Sequence, residues 1–406
     1  MSNTAYDLVV FGATSFVGKI MCRYLLDYAQ HQEDLSWAIA GRSSEKLESL
    51  KSELGSSADS IDVLLADAAN EDDLRAICER TRVVITTVGP YALYGEPLVK
   101  VCVETGTDYC DLTGEVQWID LMLQRYEEKA KASGARIVHC CGFDSIPSDL
   151  GSYFTQQQAN EDFGEPCREI KMAVKGFSGG VSGGTVASLM NVAKEAAADS
   201  ALRKKLQDPY LICPKGTPKL RQRNVIAGEY DKDFGVWLAP FVMAAINTRV
   251  VIRSGALCEE YGEGFRYSEA MMMGKGLKGR LSANALAAGL GGLMVAAAVK
   301  PSRWVLEKFV VPKPGEGPSH DEQENGFYDL RFHGKTASGN TLRVKVTGDK
   351  DPGYGSTAKM LVQAGICMAK DMQDKNGGFW TPASLFGEAL IDRLQEHAGL
   401  TFERVE

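Results

Sequence analysis

The sequence predicts an α/β protein that has a mainly parallel sheet in its first third and a second, α+β domain after it. Short apolar runs alternate with helical stretches as far as Val138, as expected for right-handed βαβ units. This regular alternation stops after Gly142. A chain of 406 residues is also long enough to form two domains, each with its own core.

The first element is an apolar strand that runs through a glycine turn into a helix, over residues 8–18. Gly12 permits the tight turn, and Gly18 permits close packing of the helix on the sheet. Backbone N–H groups at the helix start would then face a pyrophosphate. This arrangement opens a Rossmann-type dinucleotide-binding domain. The predicted pyrophosphate-binding residues are Gly12, Thr14, Ser15, Phe16, Val17 and Gly18.

Ser15 replaces the middle glycine of the usual G-x-x-G-x-x-G spacing. Its Cβ limits how closely the backbone can approach a phosphate, so the motif is weaker than the full fingerprint. A plain strand-to-helix turn of small residues is the alternative interpretation.

The second strand, over residues 36–40, ends in Gly41, Arg42 and Ser43, where the next turn would lie beside the adenosine ribose. NAD enzymes usually carry a carboxylate there, which would repel a 2′-phosphate. Arg42 offers a planar cation and Ser43 a hydroxyl, both suited to phosphate oxygens. The sequence therefore predicts NADP rather than NAD. In the alternative, Arg42 is merely solvated and Ser43 caps a helix over residues 45–54.

Further strands are predicted over residues 63–67, 83–88, 108–112 and 135–139, and helices over 97–105 and 118–133. Gly106 and Gly134 are well placed as helix C-caps. Asp67 ends the third strand, and Thr87, Val88 and Gly89 follow the fourth. These four complete the predicted cofactor-binding residues, within an NADP-binding domain over 1–145.

The second domain, over residues 146–354, is expected to serve for substrate binding and dimerisation. Strands are predicted over 170–175, 247–254, 326–336 and 341–347, the last two as an antiparallel hairpin. Helical stretches over 356–371 and 383–396 belong to a C-terminal part, about 355–406, that could pack back on the first domain.

Residues 281–299 carry no charge, and Lys275, Lys278, Arg280, Lys300 and Arg303 flank them. The segment nearly reaches the length of a bilayer span, but its Ala and Gly content makes spanning unfavourable. Four interpretations stay open: a helix on a membrane surface, a dimer interface, a lid over a lipid tail, or a buried helix.

The formal net charge of −8, without long runs of one sign, indicates no nucleic-acid surface. Ten cysteines without a Cys-x-x-Cys pair predict neither a metal site nor a disulfide framework. No signal-peptide pattern precedes the first strand. We therefore expect a cytoplasmic protein, with peripheral membrane contact through residues 281–299 as an open addition.

Short motifs occur along nearly the whole chain, at residues 11–18, 40–43, 86–91, 106–109, 111–115, 141–149, 182–185, 247–249, 266–269, 310–315 and 351–354. Together they resemble those of the saccharopine dehydrogenase-like oxidoreductases, and within them the trans-acting enoyl reductases of mycobacterial lipid synthesis. Ser15 is the clearest departure from that pattern.

The resemblance implies a nicotinamide-dependent reductase that reduces a carbon–carbon double bond in a lipid or polyketide acyl thioester carried by a separate synthase. Such chemistry needs a proton source for the α-carbon. Tyr91 and Tyr94 follow the fourth strand, so each could donate that proton or merely stack. Asp144 is the third catalytic candidate.

The turn that carries Asp144 is also a good helix start, with Ser145 as N-cap, Pro147 in the first turn and Asp149 favoured by the helix dipole. Residues 182–185 similarly could open a helix or bind a substrate oxygen.

Other polar residues near these turns have open roles. Asp111 and Glu115 could orient a nicotinamide amide or be solvated. We expect His139 to be a satisfied core residue rather than a proton shuttle.

Two other functions stay open. A saccharopine-type amino-acid dehydrogenase would need cations for several substrate carboxylates, for which Arg249, Arg253 and Arg266 are available. A nucleotide-binding membrane or lipid adaptor without turnover would explain Ser15 and the lack of a clear catalytic signature.

Overall fold

The computed structural model describes residues 4–31, 35–179, 183–299, 301–302 and 318–406. The described chain divides into two compact units. The first contains the residues up to Phe143 together with Gly353–Ala398. The second contains residues 144–302, Pro318–Pro352 and Gly399–Glu406.

The first unit is a seven-stranded sheet with helices between its strands, in the strand order β13-β6-β5-β4-β1-β2-β3. Every neighbouring pair in it is parallel. Its strands are β1 (Tyr6–Phe11), β2 (Trp37–Gly41), β3 (Asp62–Leu65), β4 (Thr81–Thr86), β5 (Asp108–Asp111), β6 (Arg136–Val138) and β13 (Gly378–Trp380). Its helices are α1 (Phe16–His31), α2 (Ser44–Leu54), α3 (Glu71–Cys78), α4 (Tyr91–Tyr94), α5 (Glu96–Thr105), α6 (Val116–Ser133), α13 (Thr357–Lys370) and α14 (Pro382–His397).

The apolar runs form the core of this sheet because helices cover both of its faces. All residues of β1 and β2 are buried, whereas the edge strand β3 leaves Leu65 exposed. The predicted strand order along the chain and the parallel sheet are confirmed. Gly106 and Gly134 adopt left-handed conformations at the ends of α5 and α6, as predicted.

The second unit contains a mixed seven-stranded sheet in the order β14-β12-β11-β7-β10-β9-β8. Strands β7 and β10 are parallel, and the other pairs are antiparallel. Its strands are β7 (Cys167–Ser178), β8 (Glu229–Asp231), β9 (Val236–Ala239), β10 (Arg266–Gly274), β11 (Phe327–Thr336), β12 (Thr341–Gly348) and β14 (Leu400–Val405). Its helices are α7 (Ile146–Phe163), α8 (Gly183–Ala198), α9 (Ser200–Lys205), α10 (Ala244–Leu257), α11 (Gly276–Ala298) and α12 (His320–Glu324).

The predicted hairpin is confirmed as β11 and β12, which pair from Tyr328 with Gly348 to Lys335 with Thr341. The strand predicted over residues 247–254 is wrong, because these residues lie in the helix α10. Val250, Val251 and Ile252 favour a strand by themselves, yet this helix is buried on most of its sides. A short apolar run without periodicity does not distinguish a buried helix from a strand.

The uncharged segment 281–299 forms most of α11, which is long and apolar enough to cross a membrane by length and composition alone. Only 11% of its most apolar stretch of 18 residues is buried. The interpretation as a buried helix is therefore wrong. Ser182 and residues 310–315 of the sequence motifs lie outside the described residues.

Candidate nucleotide-binding site

The turn between β1 and α1 has the geometry that a dinucleotide site requires. Gly12 adopts a φ of +85°, which favours glycine. A Cβ on Gly12 would also lie 2.8 Å from Thr87 Oγ1, and one on Gly18 would lie 2.4 Å from the Gly12 carbonyl oxygen. Both glycines are therefore needed for the turn to pass β4 and for α1 to pack against it.

The Ser15 side chain is directed into this turn. Its Oγ accepts a hydrogen bond of 2.9 Å from the Gly18 amide and lies 2.8 Å from Thr87 Oγ1. Thr87 Oγ1 in turn donates to the Gly12 carbonyl. Ser15 thus caps α1 and ties it to the end of β4.

The first amides of α1 are available to a ligand. Phe16 and Val17 donate no backbone hydrogen bond to any residue in the described ranges. Both are half-buried, as is Thr14 in the preceding turn. Free amides at a helix start, with the helix dipole behind them, bind anions. These residues fit a pyrophosphate.

Arg42 and Ser43 follow β2 as predicted, at the carboxyl edge of the sheet. The Arg42 side chain is exposed and has no ion pair or hydrogen bond within the described part of the chain. Ser43 Oγ accepts a hydrogen bond of 3.3 Å from the Lys46 amide and so caps α2. Because the hydroxyl accepts in this bond, its own proton is still available to a phosphate oxygen.

The remaining predicted cofactor residues lie just after the ends of β3 and β4. Asp67 is exposed and accepts a bond of 2.9 Å from the Ala69 amide, which closes the turn before α3. Thr87 and Val88 are half-buried, and Gly89 is exposed. Thr87 continues the pairing of β4 with β1, since its amide donates to the Phe11 carbonyl.

The two candidate tyrosines lie in different environments. Tyr91 is buried; its hydroxyl donates to the Thr86 carbonyl at 3.0 Å and accepts from the Leu112 amide at 3.2 Å. Burial raises its pKa well above the ordinary value. Tyr94 is 50% exposed, and its hydroxyl has no partner among the described residues.

Asp111 and Glu115 are fully buried, so of the two interpretations the one that treats them as solvated turn residues is wrong. Asp111 accepts from the Tyr109 hydroxyl and the amides of Thr113 and Cys140, and it lies 2.7 Å from His139 Nδ1. One nitrogen of His139 is thereby paired. Its Nε2 has no hydrogen-bond partner in the described residues.

Glu115 organises the start of α4 in a way that sequence reasoning missed. Its two carboxylate oxygens accept from the amides of Tyr91, at 2.8 Å, and Ala92, at 3.2 Å. The only signal in the sequence was the short spacing between Asp111 and Glu115, which gives no indication of the chain segment that each carboxylate binds.

Asp144 is the first residue of the second unit and is half-buried. Ser145 occupies the N-cap position of α7 and Pro147 lies in its first turn, as predicted. However, no side-chain capping bond forms, and the Ser145 hydroxyl instead donates to Asn247 Oδ1 at 3.1 Å. Asp149 is buried and accepts from the Ser254 hydroxyl at 2.5 Å.

Comparison with known proteins agrees with the nucleotide-binding geometry. The family model of the saccharopine dehydrogenase NADP binding domain matches residues 8–138. A trans-acting enoyl reductase from Mycobacterium tuberculosis is 39% identical over 404 residues, which cover 96% of this chain and 95% of that protein. The trans-acting enoyl reductase from Mycobacterium leprae is 37% identical over the same shares.

The fold is similar to that of saccharopine dehydrogenase (L-Glu forming) from Saccharomyces cerevisiae, with a TM-score of 0.55 at 12% identity. That match covers 99% of this chain and 100% of the yeast chain. The cofactor is NADP, and the protein is an oxidoreductase. With identity this high over nearly its whole length, the chain belongs to the family of the trans-acting enoyl reductases, built on a saccharopine dehydrogenase-type NADP-binding domain.

Proposed function

We propose that this protein reduces the carbon–carbon double bond of a lipid or polyketide acyl thioester that a separate synthase carries. The observation that carries the proposal is its identity of 39% with a trans-acting enoyl reductase along 96% of the chain.

The nucleotide site in this proposal lies within residues 1–145. Gly12, Thr14, Ser15, Phe16, Val17 and Gly18 surround the pyrophosphate, Arg42 and Ser43 bind the 2′-phosphate, and Asp67, Thr87, Val88 and Gly89 line the rest. The guanidinium of Arg42, which is exposed and has no partner among the described residues, supports NADP, since charge-assisted bonds to a phosphate are strong. NADPH, when bound, supplies the hydride for the β-carbon.

Protonation of the α-carbon falls to this chain or to water. Tyr91, Tyr94 and Asp144 stay the proposed catalytic residues. Of the two tyrosines, Tyr94 supports a proton-donating role better, because its hydroxyl is half-exposed and unpartnered in the described ranges. Tyr91 would first have to break its bond to the Thr86 carbonyl.

Residues 146–354 form the proposed substrate and dimerisation domain. The buried arginines there support an acyl rather than an amino-acid substrate. Arg249 donates to the carbonyls of Ala245 and Leu206, and Arg253 donates to the carbonyl of Ile212. These cations bind backbone within the fold, so they are poor candidates for binding the carboxylates of a saccharopine-type substrate.

The helix α11 supports peripheral contact with an anionic membrane surface. Leu281 and Val295 are 63% and 66% exposed, although water disfavours such side chains. Lys275, Lys278 and Arg280 are exposed at its start, and no acidic residue occurs between residues 270 and 299. Apolar side chains beside cations are the pattern of helices that lie on anionic lipid.

The proposed activity is tested by following the absorbance of NADPH in the presence of purified protein. An α,β-unsaturated acyl thioester is added to one sample, and an α-keto acid with an amino acid to a second. The proposal is supported if NADPH is oxidised in the sample with the thioester and not in the other. Oxidation only with the keto acid and amino acid would indicate a saccharopine-type dehydrogenase, and NADPH binding without oxidation in either sample would indicate an adaptor.

A further inference from the structure

A buried polar cluster in the second unit joins β10, α10 and the first turn of α7. At its centre is the carboxyl group of Glu269, which is 2% exposed. Its Oε1 accepts from the Tyr267 hydroxyl at 2.7 Å, and its Oε2 accepts from Asn247 Nδ2 at 3.1 Å. Ser148, in the first turn of α7, also hydrogen-bonds to this carboxyl group.

The amide of Asn247 connects this carboxyl group to the start of α7. Its Nδ2 donates to Glu269 and, at 3.2 Å, to Ser148 Oγ. Its Oδ1 accepts from Ser145 Oγ at 3.1 Å. Both ends of the amide are thus used, so rotating it would place an oxygen against the Glu269 carboxyl group. Ser145 immediately follows Asp144, the catalytic candidate of this unit.

No cation compensates the charge of Glu269. It forms no ion pair within the described chain. The groups that face it are Tyr267 from its own strand, Ser148 from α7 and Asn247 from α10, while its partner on the neighbouring strand is the apolar Met172. The buried charged side chains of the same two helices are engaged elsewhere: Asp149 accepts from Ser254, Arg249 donates to the Ala245 and Leu206 carbonyls, and Arg253 donates to the Ile212 carbonyl.

We propose that Glu269 is a positioning residue, which acts through Asn247 and Ser145 to hold the turn that carries Asp144. Three separate parts of the sequence, residues 141–149, 247–249 and 266–269, meet in this cluster. A carboxyl group that only stabilised the sheet would not need to contact the start of a helix on another layer. The role in catalysis rests on the proposed function, whereas the effect on the turn does not.

The cluster makes the turn sensitive to pH. Burial raises the pKa of Glu269 from 4.5 to about 7. An opening that exposes this carboxyl group returns its pKa toward 4.5, so the open form binds fewer protons than the closed form between these two values. Opening therefore becomes easier as the pH rises from 4.5 to 7.

The test is hydrogen exchange of the backbone amides of residues 149–152, compared at pH 5 and pH 8 after correction for intrinsic rates. Wild-type protection should fall by up to about a hundredfold at the higher pH, since each pKa unit is worth a factor of ten. Glu269→Gln, which keeps the shape of the side chain and removes its ionisation, should show no such fall.

Two further variants sharpen the test. Tyr267→Phe removes a hydrogen bond that lowers the Glu269 pKa, so the fall in protection should occur at higher pH. Glu263→Gln, an exposed carboxylate in the same unit, is the matched control.

Equal protection of the wild type at both pH values would overturn the inference. So would an equal fall in Glu269→Gln, or a loss spread evenly over the second unit, which would indicate an effect on global stability alone. As a second readout, the pH profile of kcat for thioester reduction should lose its ionisation near pH 7 in Glu269→Gln, with KM for NADPH unchanged. A wild type that fails to turn over any thioester contradicts the proposed function, and the exchange data then decide this inference separately.

Discussion

Ser15 stands where a glycine would allow the closest approach of backbone to pyrophosphate. Its hydroxyl is bonded to the Gly18 amide and lies beside Thr87, so the side chain is part of the turn itself. The sequence motif is weakened at this position, but the helix amides of Phe16 and Val17 stay available.

Substitution of Ser15 separates the effect of its hydroxyl from that of its Cβ. Ser15→Ala should lower the free energy of unfolding by about 1 kcal/mol, as loss of a helix cap does, with little change in the Kd for NADPH. Ser15→Gly removes the Cβ as well and should change that Kd by less than about threefold. A Ser15→Gly variant that binds NADPH about tenfold more tightly would show that the Cβ obstructs the phosphate.

The two tyrosines of α4 should respond differently to loss of the hydroxyl. Tyr91→Phe leaves the half-buried Leu112 amide without its acceptor, so we expect unfolding to become easier by about 1–3 kcal/mol. Tyr94→Phe should leave the melting temperature unchanged and lower kcat by about a hundredfold, as loss of a general acid does. Full activity of Tyr94→Phe would remove it from the proposed catalytic residues.

At the scale of elements, α11 is the feature that the nucleotide fold does not explain. Its exposed leucines and valines should bind anionic vesicles, and the three cations at its start should make that binding sensitive to salt.

Vesicle flotation tests this contact. Wild-type protein should float with vesicles of anionic phospholipid at low salt and not with neutral ones. Replacement of Leu281 and Val295 by Ser should abolish flotation. Sedimentation of both proteins without lipid is the control: a dimer that dissociates on this replacement, with no flotation of the wild type, would assign the helix to the predicted dimer interface instead.

The sequence predicted the strands of the first sheet well, because their apolar runs are bounded by turn residues and covered on both faces. It failed at α10, where a helix buried on most of its sides shows little amphipathic period, so the β-branched run resembled a strand. The predicted side-chain cap by Ser145 does not form, since its hydroxyl bonds instead to Asn247, 102 residues away in the chain.

Over the whole molecule, the C-terminal part of the chain adds one strand to each of the two sheets. The three residues of β13 pair with β6, and α13 and α14 belong to the first unit. The last strand, β14, pairs with β12 in the second sheet. The two strand pairings depend on long-range contacts rather than on local pattern, so they were not predictable from the sequence, whereas the sequence did suggest that the two C-terminal helices pack on the first domain. Partners of the carboxylates Asp111, Glu115 and Glu269 were not predictable either, since these partners lie on other elements.

In the proposed nucleotide site, the guanidinium of Arg42 binds the 2′-phosphate of NADP. Equilibrium binding of NADPH and NADH to the wild type and to Arg42→Ala tests this role. We expect the wild type to bind NADPH at least about tenfold more tightly than NADH, and Arg42→Ala to lose about tenfold to a hundredfold in affinity for NADPH alone. Equal losses for both nucleotides, or a wild type that prefers NADH, would show that Arg42 does not select the cofactor.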